Sequence, residues 1–174
     1  MDTTLQMIEL TETLETRKAE STENVWSDNI CLILLRSTTY YVSCSSLAEE
    51  PNLTFEGYFR ILDAELGKVQ ELLRETENNE APHGYKTLFR QFLKSANSFV
   101  DGALSFRYHS YQAREDLARK SLKKVLDSLV NMLLVTKKIS AKRREEVIKR
   151  FGSLENAKLY LQYLDEINGD HDDE

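Results

Sequence analysis

Cysteine, proline and glycine are all scarce in this chain: two Cys, two Pro and six Gly among 174 residues. Two cysteines exclude a disulfide-stapled scaffold. So little glycine and proline excludes collagen-like and loop-rich classes. The glycines are also scattered, at Gly57, Gly67, Gly84, Gly102, Gly152 and Gly169. A loop that cradles phosphate needs them clustered, and no P-loop, Gly-x-Gly-x-x-Gly or Gly-x-Ser-x-Gly pattern occurs. Long apolar runs are missing too. The strongest, Ile30 to Leu35, has six residues, against the roughly 20 that span a bilayer. Met1-Asp2-Thr3-Thr4 offers neither a basic n-region nor an apolar h-region. The Asn52-Leu53-Thr54 sequon then reads as chance, and the expectation is a soluble intracellular protein. A chain of this length buries about 70% of its unfolded surface, enough for one core and not two.

Charge is plentiful but unevenly laid out. The formal total is −6, which argues against a generic nucleic-acid binder. Residues 1–80, however, hold 16 acidic and 6 basic side chains, and residues 114–150 hold 12 basic and 5 acidic. Residues 81–113 carry 4 basic and 1 acidic, and residues 151–174 carry 7 acidic and 1 basic. Two readings follow: acidic helices pack beside basic ones and neutralise them, or the basic third meets an anionic partner.

Helical periodicity dominates what remains. Phe55, Tyr58, Phe59, Leu62, Leu66, Val69 and Leu73 share one helical face, with Thr54 as a cap. That helix fades at residues 75–80, and Pro82 and Gly84 mark a turn. A second stripe runs Tyr85, Leu88, Phe89, Phe92, Ala96, Phe99, Val100, Ala103. A third runs Ala118, Leu122, Val125, Leu126, Leu129, Leu133, on a helix from about Tyr111 to Lys137. A break near Arg107-Tyr108-His109-Ser110, capped by Ser110, is favoured over one long helix. Ser140 then caps a short helix, Ala141 to Arg150. Gly152 and Ser153 separate it from another, built on Ala157, Tyr160, Leu161, Leu164 and Ile167. Residues 25–48 are apolar and β-branched, and Thr38–Val42 has strand propensity. With no second strand nearby, a buried helix is preferred there. Residues 1–22 form a weakly amphipathic segment, loosely attached.

The chemistry of catalysis finds little to work with. Cys31, Cys44, His83, His109 and His171 lack the local spacing of metal motifs. Glu80-Ala81-Pro82-His83 matches Glu-x-x-His only across a proline turn and has no second copy. Cys31 lies in an apolar run and reads as a core thiol. The HEPN ribonucleases, small helical bundles, place a His four to six residues after an Arg. Arg107 precedes His109 by two, so that signature is absent. Asp101, the one acid of residues 81–113, reads as exposed or helix-paired.

Binding features are stronger. Aromatic and basic residues interleave from Tyr85 to Lys124, the pairing that single-stranded nucleic acid uses. Most of these rings fall on the core stripe, leaving Phe106, Tyr108 and Tyr111 as candidate exposed rings. Lys137, Lys138, Lys142, Arg143 and Arg144 cluster at the expected start of the Ala141 helix, where the macrodipole disfavours cations. A bound phosphate or acidic partner would offset that. Ile139 to Leu154, through Lys142-Arg143-Arg144 and Phe151-Gly152-Ser153-Leu154, resembles part of the helix-hairpin-helix element of DNA repair proteins. That likeness implies backbone amides presented to phosphate, yet Ser140-Ala141 stand where its hairpin glycines belong.

The expectation is therefore an all-α protein: one bundle-like domain of five to seven helices over residues 1–169, then a short disordered acidic tail, 170–174. Functionally it reads as a non-enzymatic subunit or adaptor that binds a protein partner, or itself, through helical surfaces. The alternative is an accessory subunit that binds nucleic-acid backbone. The residues for a phosphate or acidic partner are Lys137, Lys138, Lys142, Arg143 and Arg144 with Arg119, Lys120, Lys123 and Lys124. No catalytic residue, metal, cofactor, membrane or small-molecule substrate is expected.

Overall fold

The computed structural model describes residues 25–48, 59–79, 81 and 83–142, with 11, 12, 15 and 159. Four helices carry the fold: α1 Val25–Ala48, α2 Phe59–Glu77, α3 Lys86–Tyr111 and α4 Glu115–Lys142. No strand occurs among the described residues. The strand-prone Thr38–Val42 stretch lies inside α1 for a local reason. The hydroxyls of Thr38, Thr39 and Ser43 donate to the carbonyls of Leu34, Leu35 and Thr39, at 2.8, 3.1 and 3.0 Å. These side chains bond within their own helix instead of competing with it.

Each helix buries a stripe whose steps alternate between three and four residues. On α1 it is Ile30, Ile33, Ser37, Tyr40 and Cys44, and on α2 it is Leu62, Leu66, Val69 and Leu73. On α3 it is Phe92, Ala96, Phe99, Ala103 and Phe106. On α4 it is Ala118, half-buried Leu122, Val125, Leu129, Met132, Thr136 and Ile139. A spacing of 3.5 residues keeps each stripe facing the bundle axis along its length. Spatial order follows chain order: α1 packs on α2, α2 on α3, α3 on α4 and α4 back on α1, with little diagonal contact. Neighbours run antiparallel. Asp63 near the start of α2 meets Arg107 near the end of α3, and Glu77 at the end of α2 accepts from Asn97.

The α3–α4 pair is the most extensively packed. Gly102 makes the close approach possible, since a Cβ there would lie 3.1 Å from Val125 Cγ2 and 3.2 Å from Val125 N. α1 carries the least satisfied part of the core. Asn29 and Ser37 are fully buried, and neither side chain has a hydrogen-bond partner among the described residues.

Several expectations are corrected here. Four helices are found among the described residues, not five to seven. The expected break between two helices is present but lies later than residues 107–110: Ser110 is within α3, and the chain turns at Gln112–Arg114. The turn is a Schellman closure. Arg114 N–H donates to His109 O at 2.9 Å and Ala113 N–H to Ser110 O at 3.1 Å, with Ala113 left-handed at φ 58°. Ser140 caps no helix. It lies inside α4 and is buried on the face shared with Thr136 and Ile139. A continuous helix through Ser140-Ala141 also removes the likeness to a helix-hairpin-helix element, which needs a hairpin at that point. The Thr54 cap, the 170–174 tail and, apart from residues 11, 12, 15 and 159, the 1–22 segment and the helices expected after Lys142 lie outside the described residues.

Candidate functional site

The outer face of α4 is where the cations gather. Helical spacing puts Lys120, Lys123, Lys124 and Lys138 opposite the Val125–Leu129–Met132 stripe, and all four are exposed. None of the four forms an ion pair among the described residues. Arg119, on the same helix, pairs with Glu115 one turn back at 3.6 Å. Asp116 and Asp127 are the other acids of α4, and the first-turn pair Glu115–Asp116 suits the positive end of the helix dipole.

The nine candidate cations do not form one cluster. Lys124 and Lys138 are separated by about 21 Å of helix, a stretch holding Asp127, Asn131 and Leu134. Lys120, Lys123, Lys124 and Arg119 therefore make one group towards the hairpin turn. Lys137, Lys138 and Lys142 make a second near the far end, where Lys137 is half-buried. Arg143 and Arg144 lie outside the described residues. The dipole reading of this second group is overturned. Lys137, Lys138 and Lys142 sit in the last described turns of α4, not at a helix start, and cations are favoured near a C-terminal end. Lys142 has a structural contact as well. Its Nζ donates to Gly84 O at 3.2 Å and lies 5.2 Å from the centre of the Tyr85 ring. Gly84 has φ +93°, a backbone conformation that suits glycine.

Three cations of the interleaved Tyr85–Lys124 stretch were not counted among the nine. Lys86, Arg90 and Lys94 are exposed on α3. The antiparallel pairing that brings Lys142 to Gly84 places this half of α3 beside the second α4 group. The signal was present in the sequence as an i, i+4, i+8 series of cations. Asp101, farther along α3, is exposed.

The aromatic candidates divide. Phe106 is 1% exposed and continues the Phe99–Ala103 stripe, so it belongs to the core and not to a binding surface. Tyr108 and Tyr111 are 57% and 70% exposed at the hairpin end of α3. Arg107 holds both carboxylate oxygens of Asp63, at 2.8 and 3.2 Å, and its guanidinium carbon lies 5.7 Å from the Tyr111 ring centre. Asp63–Arg107 is thus an ion pair between the acidic first 80 residues and the basic hairpin, and it engages none of Lys120, Lys123, Lys124 and Lys138.

The interior holds one unusual titratable pair. Tyr40 and Cys44 are buried one turn apart on α1, and the Tyr40 hydroxyl donates to the Cys44 sulfur. Burial pushes the Cys44 thiol up to about 12, and burial with the neighbouring thiol raises Tyr40 above its ordinary value. Both groups are held protonated by the fold, and Cys44 is a poor nucleophile. The folded state therefore keeps protons that the unfolded chain releases. Stability from Cys44 is complete below the ordinary thiol pKa of about 8.5 and is lost as pH rises from there towards about 12. The expected slope is about 1.4 kcal/mol per pH unit. Urea unfolding at rising pH should show the gap between wild type and Cys44→Ala narrowing across that window. Parallel pH dependences in the two proteins would contradict it.

An open groove of ≈ 480 Å³ lies between α1 and α2, lined by Arg36, Lys68, Glu71 and Glu75 among others. Arg36 is already engaged by Glu15 and, at 3.4 Å, by Glu65. Among the described residues no three His, Cys, Asp or Glu side chains are grouped to hold a metal. No described helix is long and apolar enough to cross a membrane.

Comparison with protein-family models, curated proteins and solved structures finds no match. The reading of this surface therefore rests on its own chemistry.

Proposed function

We propose that this chain is a non-enzymatic interaction protein, a subunit or adaptor that presents the outer face of the α3–α4 hairpin to an anionic macromolecule. One observation carries the reading: Lys120, Lys123, Lys124 and Lys138 are exposed along one helix and make no ion pair among the described residues. Like charges on one face repel each other, and an anionic partner removes that repulsion. The bundle interior supplies a rigid scaffold, and packed helices hold such a face without further ordering on binding.

The experiment is a salt titration of binding to two labelled polyanions, an oligonucleotide and polyglutamate, starting near 50 mM salt where such contacts are strong. Binding of at least one, weakening steeply with salt and strongly weakened in the triple variant Lys120→Glu, Lys123→Glu, Lys124→Glu, is the expected result. A chain that binds neither polyanion is not this kind of protein.

A further inference from the structure

We infer that the anionic partner is a single-stranded nucleic acid, its phosphates on the α4 lysines and its bases on Tyr108 and Tyr111. This deepens the proposed function and rests on it. Three features of the hairpin point the same way.

The first is register. Gly102 of α3 faces Val125 of α4. Tyr108 lies six residues beyond Gly102 and Lys120 five residues before Val125, both towards the turn. At about 1.5 Å per residue the two side chains stand at nearly the same height on adjacent antiparallel helices. Exposed rings and unpaired cations therefore share one end of the hairpin, with Arg114 exposed in the turn between the helices.

The second is preorganisation. Asp63 fixes Arg107 through two hydrogen bonds, and Arg107 covers one side of the Tyr111 ring. With the residue 70% exposed, the opposite side faces solvent. A ring backed by a guanidinium and open on its other face is a stacking platform, and bases of any identity stack on such a platform.

The third decides between classes of polyanion. An acidic protein partner would need apolar anchors buried at the centre of the contact, and lysine is depleted from such centres. On α4 the exposed apolar side chains among the cations are Leu117 and Leu134, seventeen residues apart, and the hairpin's other exposed apolar groups, Leu104, Tyr108 and Tyr111, lie on α3. Interfaces with nucleic acid are polar and strongly positive, which is what this face is. A duplex would satisfy the lysines and leave the tyrosines without function, since its bases are already stacked.

Fluorescence anisotropy with a labelled single strand of ~16 nucleotides, the matching duplex and polyglutamate, at equal salt, tests the inference. The single strand should bind tightest. Tyr108→Ala and Tyr111→Ala should each weaken it at least about fivefold, and Tyr→Phe at either position should restore it, because a base stacks on either ring. The triple lysine-to-glutamate variant should flatten the dependence of log affinity on log salt by about two. Equal binding of duplex and single strand, with no effect of the tyrosine variants, overturns the inference and leaves the polyanion reading intact. Polyglutamate bound as tightly as the oligonucleotide overturns it in favour of an acidic protein. Binding to none of the three removes both readings.

Discussion

Replacing Phe99 by alanine is expected to destabilise the fold by about 3–5 kcal/mol, among the largest effects of any single substitution in the bundle. Phe99 is fully buried at the middle of the α3 stripe. It also makes an edge-to-face contact with Tyr40 across the bundle, ring centres 5.9 Å apart. Truncation removes the transfer free energy of the ring, the aromatic pairing and the packing of everything the ring touched. α1 and α3 are diagonal neighbours that otherwise touch little, so the Phe99–Tyr40 contact bridges the two halves of the interior. Domains of this size have a total stability of about 5–15 kcal/mol, so the loss would be visible as a large drop in urea midpoint. An unfolding midpoint within error of wild type would mean that Phe99 does not occupy the core as described.

The second large effect concerns Gly102. A leucine there must place its Cβ 3.1 Å from Val125 Cγ2 and 3.2 Å from Val125 N. The methyl group can rotate away, but the backbone nitrogen moves only if α4 moves. Overpacking of this kind costs about 1–3 kcal/mol, or more where two helices are forced apart. Gly102→Ala is the informative companion. It gains about 1 kcal/mol of helix propensity and meets the same two atoms with nothing beyond the Cβ, so it should fall near neutral. Adding Val125→Ala to Gly102→Leu removes the Cγ2 contact and leaves the backbone one, so it should recover only part of the loss. Chemical denaturation of the three variants reads this directly. A Gly102→Leu protein as stable as wild type would show that the helices do not meet there.

Much of the scaffold was legible because its signal is periodic. Leu62, Leu66, Val69 and Leu73 are buried as their spacing implies, as are most of the α3 and α4 stripes, with Tyr85, Leu88, Leu122 and Leu126 half-buried. The same logic, carried one step further, would have assigned Phe106 to the core. It is three residues after Ala103, itself four after Phe99. Boundaries were harder. The α3–α4 turn is made by Ala113 in a left-handed conformation, a place where glycine usually announces itself. With alanine there, nothing in the local sequence separates this turn from continuing helix. Ser110 and Ser140 imitate N-caps by residue type alone, and only their burial and bonding reveal them as interior positions. Lys120, Lys123, Lys124 and Lys138 were visible within a run of charge, but their lack of an ion pair among the described residues was not. It depends on which helices become neighbours: α2, with its carboxylates, packs on α1 and α3 and scarcely touches α4.

The order of the helices around the axis also governs how quickly the chain finds it. Because each helix lies beside its neighbours in sequence, most pairings close short loops, and the entropy of closing a loop grows with its length. The pairing with the shortest connection, three residues from Gln112 to Arg114, is also the one with the most extensive contact. Residues 86–142 therefore have the least to lose and the most to gain by associating early. A low contact order of this kind places the protein among fast-folding helical domains, with the α3–α4 hairpin as its nucleus and α1 closing the ring against α4 last. The basic surface would then be formed before α1 and α2 have docked.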